Sequence, residues 1–300
     1  MDYEKKLSEL ALKDKNIVVM TAENRAPVRS LPDLLGNRFI DTGITEQCMI
    51  GASAGLALRG KIVVAHALAS FLVMRAYEFI RTDIGIGRLP VKLVGFVPGL
   101  LSDGNGPTHQ AIEDISLLRS IPGMRIFCPS DNDELVDGLE EILYDPFPWY
   151  IRYNISECKK NSSQDFSIGV AEDLDTHNQL IIITYGFLFN QALIAKEKLE
   201  REGINIGILN LRTIQPIDKN KVVRILKKSK IIITLEDHFQ IGGIYSIISE
   251  ICLHERISPE VFPISLEDDW FKPGLINNVL ETTGLSGDKV YSKIKKILNK

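Results

Sequence analysis

Paired cysteines are missing from this 300-residue sequence. Its four cysteines, Cys48, Cys128, Cys158 and Cys252, lie far apart, and no two of them have the C-x-x-C spacing. This pattern excludes the common structural zinc motifs and provides no disulfide framework. We therefore expect a protein of a reducing compartment.

Long apolar runs and an excess of basic residues are also missing. No apolar stretch approaches the ~18 residues that a transmembrane helix needs. The N-terminal segment, residues 1–16, is polar and lacks the apolar core of a secretory signal. The formal net charge of -4 argues against binding to nucleic acid or to a membrane surface. The sequence predicts a cytoplasmic protein with neither kind of partner.

Two regions of the chain alternate short β-branched runs with segments of helical periodicity. Examples are the apolar runs at 61–65 in the first region and at 180–184 in the second. Such runs, when they alternate with helices, are typical of a parallel sheet covered on both faces. The sequence predicts an α/β fold of two three-layer α/β/α domains with mostly parallel sheets. The domains are expected at 1–155 and 178–300, with a polar linker at 156–177.

An acidic residue opens a helix of small residues. Glu46 follows the turn at Gly43, and the predicted helix runs to Gly60 with small residues at 51–55. In the structural interpretation, an acid in the first turn merely complements the helix dipole. In the functional interpretation, the small residues serve a buried interface, where the pKa of an acid is perturbed.

A histidine lies where a loop becomes a helix. The loop, residues 103–107, is rich in turn-forming residues and lacks the order of the common phosphate-binding loops. A histidine beside a helix N-terminus is biased towards its neutral form, which suits His109 to hydrogen bonding in a pocket. The structural alternative is a histidine that caps the helix.

A third segment follows a predicted strand. Phe71, Met74, Arg75 and Glu78 recur at helical spacing, which is typical of an ordinary core face. An aromatic residue in this place is also suited to stack on a planar heterocycle. His66, just beyond the strand, is a secondary candidate for the same pocket.

Taken together, these motifs resemble one known family. G-I-T-E-Q at 43–47, S-F-L-V-M-R-A-Y at 70–77 and G-P-T-H-Q-A-I-E-D at 106–114 follow one another in this order. They resemble the C-terminal half of the transketolases, including the split two-subunit forms. They are also similar to the corresponding part of 1-deoxyxylulose-5-phosphate synthases. The resemblance implies a pyrimidine-binding domain followed by the family's C-terminal domain.

The resemblance implies thiamine diphosphate as the cofactor. It makes Glu46 the catalytic acid that hydrogen-bonds N1′ of the aminopyrimidine, a role that suits a carboxylate in a preorganised pocket. Phe71 would stack on the pyrimidine ring, and Ile44 would line the same pocket. Family members often carry larger groups in place of Leu68 and Met74. The other cofactor-binding candidate is Glu23.

The resemblance also implies a set of substrate contacts. His109 would contact hydroxyl or carbonyl oxygens at the reacting end of the substrate. Arg152 would meet a sugar phosphate, and the alternative for it is a surface arginine after an edge strand. Asn105 stands where the family commonly has an aspartate that reads the donor's hydroxyl group. Asp103 and His66 complete the substrate-binding candidates.

The family's diphosphate motif, G-D-G followed by a distant asparagine, is missing from the sequence. Gly287-Asp288 has no third glycine, and Asp103-Gly104 has no leading one. The resemblance therefore implies a separate N-terminal subunit that holds most of the diphosphate and the Mg²⁺, in an α2β2 assembly. No metal-binding residues are expected in this chain.

The leading interpretation is a transketolase subunit that moves a two-carbon ketol unit from a ketose or ketose phosphate to an aldose. Because Asn105 replaces an aspartate, a reaction of the 1-deoxyxylulose-5-phosphate synthase type stays open. A β-subunit of a 2-oxoacid dehydrogenase shares the architecture, but the motif around His109 points away from it. A scaffold subunit without turnover is the non-enzymatic alternative, and the retention of Glu46 and His109 disfavours it.

Overall fold

The structure, a computed structural model, describes residues 2–158 and 164–299. Its strands are β1 (Ile17–Thr21), β2 (Phe39–Asp41), β3 (Ile62–Leu68), β4 (Lys92–Phe96), β5 (Arg125–Phe127), β6 (Trp149–Tyr153), β7 (Glu172–Leu174), β8 (Leu180–Thr184), β9 (Gly207–Asn210), β10 (Thr213–Gln215), β11 (Ile231–Phe239) and β12 (Glu260–Leu266). Its α-helices are α1 (Tyr3–Lys13), α2 (Leu31–Leu35), α3 (Glu46–Leu58), α4 (Tyr77–Phe79), α5 (Asp114–Arg119), α6 (Asn132–Tyr144), α7 (Leu188–Arg201), α8 (Lys219–Lys228), α9 (Ile244–Glu255), α10 (Ile276–Thr283) and α11 (Gly287–Leu298).

The first sheet has seven strands in the order β10-β5-β6-β4-β3-β1-β2. Strands β1 to β6 are parallel to one another, whereas β10 is antiparallel to its neighbour β5. Every residue of β1 and β6 is buried, because helices cover both faces of the sheet. The carboxyl ends of β1, β3 and β4 lie along one edge, where ligands bind in sheets of this type.

The second sheet has five strands in the order β12-β11-β8-β9-β7. Its strands are parallel except for β7, which pairs antiparallel with β9. The isoleucine-rich strands β8 and β11 form its centre and pack under helices such as α7 and α11. The predicted fold class, two mostly parallel α/β sheets with helices, is confirmed.

Two short strands lie where the sequence patterns did not indicate them. Strand β7 falls inside the predicted linker at 156–177, where its two acidic residues at the edge of the sheet hid the strand pattern. Strand β10 follows the second region in sequence but extends the edge of the first sheet. Residues 159–163 of the predicted linker lie outside the described residues. The boundaries between the domains stay a prediction.

None of the helices within residues 2–158 and 164–299 is long and apolar enough to cross a membrane.

His66 lies inside the first sheet, between α1 and the strands. Its Nε2 is 2.8 Å from the hydroxyl of Tyr3, and its Nδ1 is 3.2 Å from the carbonyl oxygen of Met20. The side chain is 0% exposed. This placement contradicts the predicted contact of His66 with substrate. The reason is that β3 continues to Leu68, so His66 belongs to the buried strand and not to the loop beyond it.

Burial makes His66 a pH-sensitive element of stability. Burial lowers the pKa of His66 from its usual 6.5 to about 4. Between these values the unfolded chain binds a proton that the folded chain does not, so stability falls as the pH falls from 6.5 to 4. The expected loss is about 3 kcal/mol. The measurement is the free energy of urea unfolding from pH 4 to 8, for the wild type and for His66→Gln. Equal pH dependence of the two proteins would contradict this assignment.

Candidate active site

Glu46 occupies the first turn of α3, with its carboxylate turned away from solvent. The residue is only 2% exposed. Arg75 donates from Nη1 to both carboxylate oxygens, Oε1 at 3.1 Å and Oε2 at 2.9 Å. An acid in the first turn is also favoured by the helix dipole. Glu46 is therefore a buried negative charge held by one guanidinium group.

Arg75 links Glu46 to the next member of the site. Its guanidinium carbon lies 4.2 Å from the centre of the Phe71 ring, within the range of a cation–π contact. Phe71 and Arg75 are the first and last residues of a π-helical turn. Such turns are rare in proteins, and those that occur are often found at functional sites. The turn places an aromatic face and a positive charge side by side over Glu46.

His109 completes the cluster through a contact with Phe71. The centres of the two rings are 5.0 Å apart, with an angle of 59° between the ring planes. Thr108 Oγ1 is 2.8 Å from His109 Nδ1. The structure therefore brings together three residues that the sequence predicted, Glu46, Phe71 and His109. Each comes from a different loop or helix start, and Arg75 contacts both Glu46 and Phe71.

Two apolar residues predicted to bind the cofactor are exposed to solvent. Both are close in sequence to members of the cluster. Ile44, two residues before Glu46, is 67% exposed, and Met74, within the π-helical turn, is 39% exposed. Leu68 is half-buried at the end of β3, opposite Phe96 of β4. Glu23 is exposed after β1 and has a φ of 62°. All four lie in or directly after the elements that form the ligand-binding edge of the first sheet.

Asp103 and Asn105 lie in a 3₁₀ turn before His109. Asp103 Oδ2 accepts a hydrogen bond of 2.7 Å from the backbone N–H of Ile276, the first residue of α10. Asn105 is exposed, and its Nδ2 donates to Ser102 Oγ at 3.1 Å. Asp103 is thus engaged with the second half of the chain, while Asn105 faces solvent.

Arg152 is buried between the two sheets. It is 3% exposed, and its guanidinium bonds to two carboxylates that are themselves buried. Nε lies 3.0 Å from Asp114 Oδ2, and Nη1 and Nη2 lie 2.9 and 3.2 Å from the oxygens of Asp237. This placement contradicts both the predicted phosphate contact and the alternative of a surface arginine. The reason is that β6 is an interior strand, between β4 and β5.

Two residues of this region were missed by sequence reasoning. Arg75 was noted only as part of a helical core face, although a charge inside the apolar run F-L-V-M-R-A-Y is a signal of a buried partner. Asp237 lies 85 residues beyond Arg152, and no local pattern connects them. A signal for it is that Glu236 and Asp237 follow the mostly apolar run at 231–235 within one strand.

The cluster combines three chemical capacities. A carboxylate shielded from water holds or accepts a proton, an aromatic face stacks on a planar ring, and a histidine bonds a polar substrate atom. The Arg75 guanidinium shows that a planar nitrogen group fits over Phe71 while it bonds to Glu46. In the part of the chain that the structure describes, no three His, Cys, Asp or Glu side chains form a group that could hold a metal ion.

Two family models match the chain. The model of the transketolase pyrimidine-binding domain matches residues 2–160, and that of the transketolase C-terminal domain matches residues 169–290. The chain is 33% identical to a 6-deoxy-6-sulfo-D-fructose transketolase subunit of Clostridium sp. strain MSTE9, over 95% of the chain and 89% of that protein. It is 34% identical to a 1-deoxy-D-xylulose-5-phosphate synthase of Dictyoglomus thermophilum, over 99% of the chain but only 48% of the synthase.

Solved structures share the fold. A split gene transketolase, described as an inactive beta4 tetramer, superposes with a TM-score of 0.88 and 30% identity, over 99% of this chain and 97% of the other. A transketolase of Pichia stipitis in complex with sedoheptulose-7-phosphate gives a TM-score of 0.79 at 18% identity. The match covers 99% of this chain and 45% of the Pichia chain, and at this identity it shows the fold alone.

The pair of Glu46 and Arg75 is expected to stabilise the folded chain measurably. Breaking a buried pair costs ~3–5 kcal/mol, and the 39% exposure of Arg75 reduces the expected coupling to about 1–2 kcal/mol. The measurement is a double-mutant cycle of Glu46→Gln and Arg75→Met by urea unfolding. The control cycle uses the exposed pair Glu197 and Arg201, where we expect about 0.5 kcal/mol or less. A coupling no larger than in the control cycle would disprove the buried pair.

Proposed function

Because the chain belongs to the transketolase family, we propose that it is the C-terminal subunit of a split transketolase-type enzyme. The enzyme transfers a two-carbon ketol unit from a ketose or ketose phosphate to an aldose acceptor, with thiamine diphosphate as cofactor. The observation that carries this proposal is the cluster of Glu46, Phe71 and His109 around Arg75. It unites a shielded carboxylate, an aromatic face and a histidine at the ligand-binding edge of a parallel sheet.

Glu46 and Phe71 fit the pyrimidine ring of this cofactor. When bound, thiamine diphosphate supplies a nucleophilic carbon and an electron sink for breaking the bond between C2 and C3 of a ketose. In this proposal the carboxyl group of Glu46 hydrogen-bonds to a nitrogen of the ring, and its burial keeps water from competing for its oxygens. Phe71 orients the ring by stacking on its face. Ile44 and Met74 supply exposed apolar surface for the ring to cover.

Leu68 and Glu23 are the outer members of the proposed cofactor set. Leu68 ends β3, three residues before Phe71, and Glu23 follows β1, the neighbouring strand. Both therefore lie at the same edge of the sheet as Glu46. We assign them lesser roles than Phe71, because Phe71 contacts Arg75 of the cluster, whereas Leu68 and Glu23 are assigned only from their place at this edge.

His109 bonds a substrate oxygen in this proposal. Thr108 lies beside Nδ1 of the ring, so Nε2 is the nitrogen that we assign to the substrate. Asn105 is exposed four residues earlier and is suited to read a donor hydroxyl group. These two side chains, rather than Arg152 or His66, form the substrate-binding set of this chain.

A second polypeptide holds the diphosphate and the Mg²⁺ in this proposal. The relatives that the chain covers almost fully are described as a subunit and as a split gene product. Helix α3 leaves Cys48, Ala52, Gly55 and Leu58 exposed, and small apolar residues on an outer face suit an obligate interface. We therefore propose a cytoplasmic α2β2 enzyme, active only when this chain pairs with an N-terminal subunit.

A reaction of the 1-deoxy-D-xylulose-5-phosphate synthase type is the second candidate. The 34% identity to such a synthase over nearly the whole chain supports it. Asn105 stands in place of the aspartate that the resemblance implies, so the identity of the donor stays open. The two candidates differ in the donor, a ketose in one case and a 2-oxoacid in the other, so donor screening separates them.

The proposal predicts that the cofactor binds only to the assembled enzyme. Thiamine diphosphate with Mg²⁺ is titrated by calorimetry into this chain alone, and then into its mixture with the product of a neighbouring open reading frame that carries the diphosphate motif. We expect binding only in the mixture, because this chain supplies the pyrimidine side of the site. Tight binding to the isolated chain would show that the diphosphate site lies here, and the two-subunit proposal would be wrong.

The assigned roles predict different effects of two substitutions in the assembled enzyme. Glu46→Gln should lower donor turnover roughly 100-fold or more, while the subunits still assemble, because an amide replaces the carboxyl group that bonds to the ring nitrogen. His109→Ala should lower donor turnover and leave the Kd of thiamine diphosphate nearly unchanged. Glu197→Gln, on the exposed face of α7, is the control. Full turnover of Glu46→Gln, or loss of cofactor affinity in His109→Ala, would remove that residue from its role.

A further inference from the structure

The second half of the chain contacts the loop that carries His109 at both of its ends. We call residues 99–116 the His109 segment. Near its start, Asp103 Oδ2 accepts a hydrogen bond of 2.7 Å from Ile276 N–H, 173 residues away. Leu275, the N-cap residue of α10, has no polar side chain, so Asp103 acts as the cap of that helix. A side chain of the loop therefore caps a helix of the C-terminal domain.

The middle of the segment lies directly against the C-terminal domain. Gly106 has a φ of 74°, and a β-carbon on it would lie 2.8 Å from Cβ of Pro273. This distance is shorter than van der Waals contact allows, so glycine is what lets the loop approach the Pro273 ring so closely. Gly106 is three residues from His109. The C-terminal domain is therefore packed on the turn that leads into the histidine.

The far end of the segment is held by the end of β11 and the loop after it. Phe239 N–H donates to the carbonyl oxygen of Ile112 at 3.3 Å, and Ser116 N–H donates to His238 Nε2 at the same distance. A β-carbon on Gly242 would lie 2.3 Å from Cβ of Ser116. Backbone groups on both sides of the contact are thus satisfied across the boundary between the two sheets.

The buried guanidinium of Arg152 joins these contacts to the first sheet. It bonds to Asp114, within the segment, and to Asp237, at the end of β11. A β-carbon on Gly99 would overlap Asp237 Oδ2, at 1.6 Å, so the carboxylate packs directly on the start of the segment. Gly99 in turn exchanges backbone hydrogen bonds with Ala111, at 3.0 and 3.2 Å. One ion cluster therefore closes the segment into a loop whose ends cannot separate without exposing buried charge.

We propose that the C-terminal domain is the positioning element for His109, with Asp103 and Arg152 as positioning residues. This inference rests on the proposed substrate role of His109. A loop held only at its own ends samples many positions, and small displacements of a substrate-contacting group are costly for the rate. Contacts at the start, middle and end of the segment remove that freedom. Asp103 and Arg152 act through His109 and do not touch the substrate.

Asp103 offers the sharper test because its cap can be kept or removed without placing a charge in the core. Asp103→Ala removes both acceptor oxygens, Oδ2 that caps α10 and Oδ1 that accepts from Gly104 N–H, whereas Asp103→Asn keeps one acceptor oxygen for the cap. Asp218→Ala is the matched control, since Asp218 caps α8 by the same kind of bond to Lys221 N–H within the C-terminal domain. Each variant is prepared as the full chain and is studied alone and assembled with the N-terminal subunit.

The first measurement is hydrogen–deuterium exchange followed by mass spectrometry. In Asp103→Ala we expect roughly five- to tenfold faster exchange in residues 103–112 and at the start of α10, the size that loss of an N-cap produces. Asp103→Asn should stay close to wild type, and Asp218→Ala should affect only α8 and its surroundings. Unchanged exchange in Asp103→Ala would overturn the inference, and so would faster exchange of the His109 segment in the Asp218 control.

The second measurement separates positioning from mere support of the fold. In the assembled enzyme, Asp103→Ala should lower kcat for the donor several-fold without changing the Kd of thiamine diphosphate, and Asp103→Asn should restore kcat. A loosened segment with undiminished kcat would contradict the positioning role. If the wild-type assembly transfers no ketol unit at all, the proposed function fails, and the exchange result alone decides whether the C-terminal domain holds the segment.

Discussion

The buried ion cluster of Asp114, Arg152 and Asp237 is the interaction on which the geometry of the site depends. Helix α5, strand β6 and strand β11 meet there, and all three side chains are nearly inaccessible to water. A buried guanidinium is strongly destabilising unless carboxylates satisfy it. Any arrangement that moves the second sheet away from the first separates Asp237 from Arg152 and deprives that carboxylate of its guanidinium partner. The cluster therefore couples the relative position of the two sheets to the segment that carries His109.

The ion pair of Glu46 and Arg75 differs from this cluster in its exposure to solvent. Arg75 is partly exposed, so water competes for its guanidinium and weakens its attraction to Glu46. A planar ligand that enters from solvent can take its place on Phe71 and Glu46 at a lower cost than any rearrangement around Arg152. The molecule thus has one charge cluster that sets geometry and another that is exchangeable, and the exchangeable one lies where a ligand is expected.

Local patterns predicted the parts of this molecule that depend on sequence neighbours. The two parallel sheets follow from apolar runs that alternate with helical periodicity. Glu46, Phe71 and His109 were recognisable because each is embedded in a short motif, and the structure places them in one cluster. Contacts between distant segments were not predictable, since no local signal connects Asp103 with a backbone group 173 residues away. The antiparallel strand β10 was missed for the same reason.

The two residues whose predicted roles were wrong, His66 and Arg152, share one physical cause. Both lie near the carboxyl ends of interior strands, β3 and β6. For His66 the sequence pattern does not reveal that the strand continues to Leu68, and for Arg152 it does not reveal that the strand is interior rather than at an edge. An ionisable side chain inside such a strand is surrounded by the layers on both faces, so its burial and its partners decide its role. Glu46, Phe71 and His109 instead lie in loops or first helical turns beyond the strand ends. There a side chain lies beyond the sheet, at its ligand-binding edge, and this is why chemistry is assigned to those positions and structure to the other two.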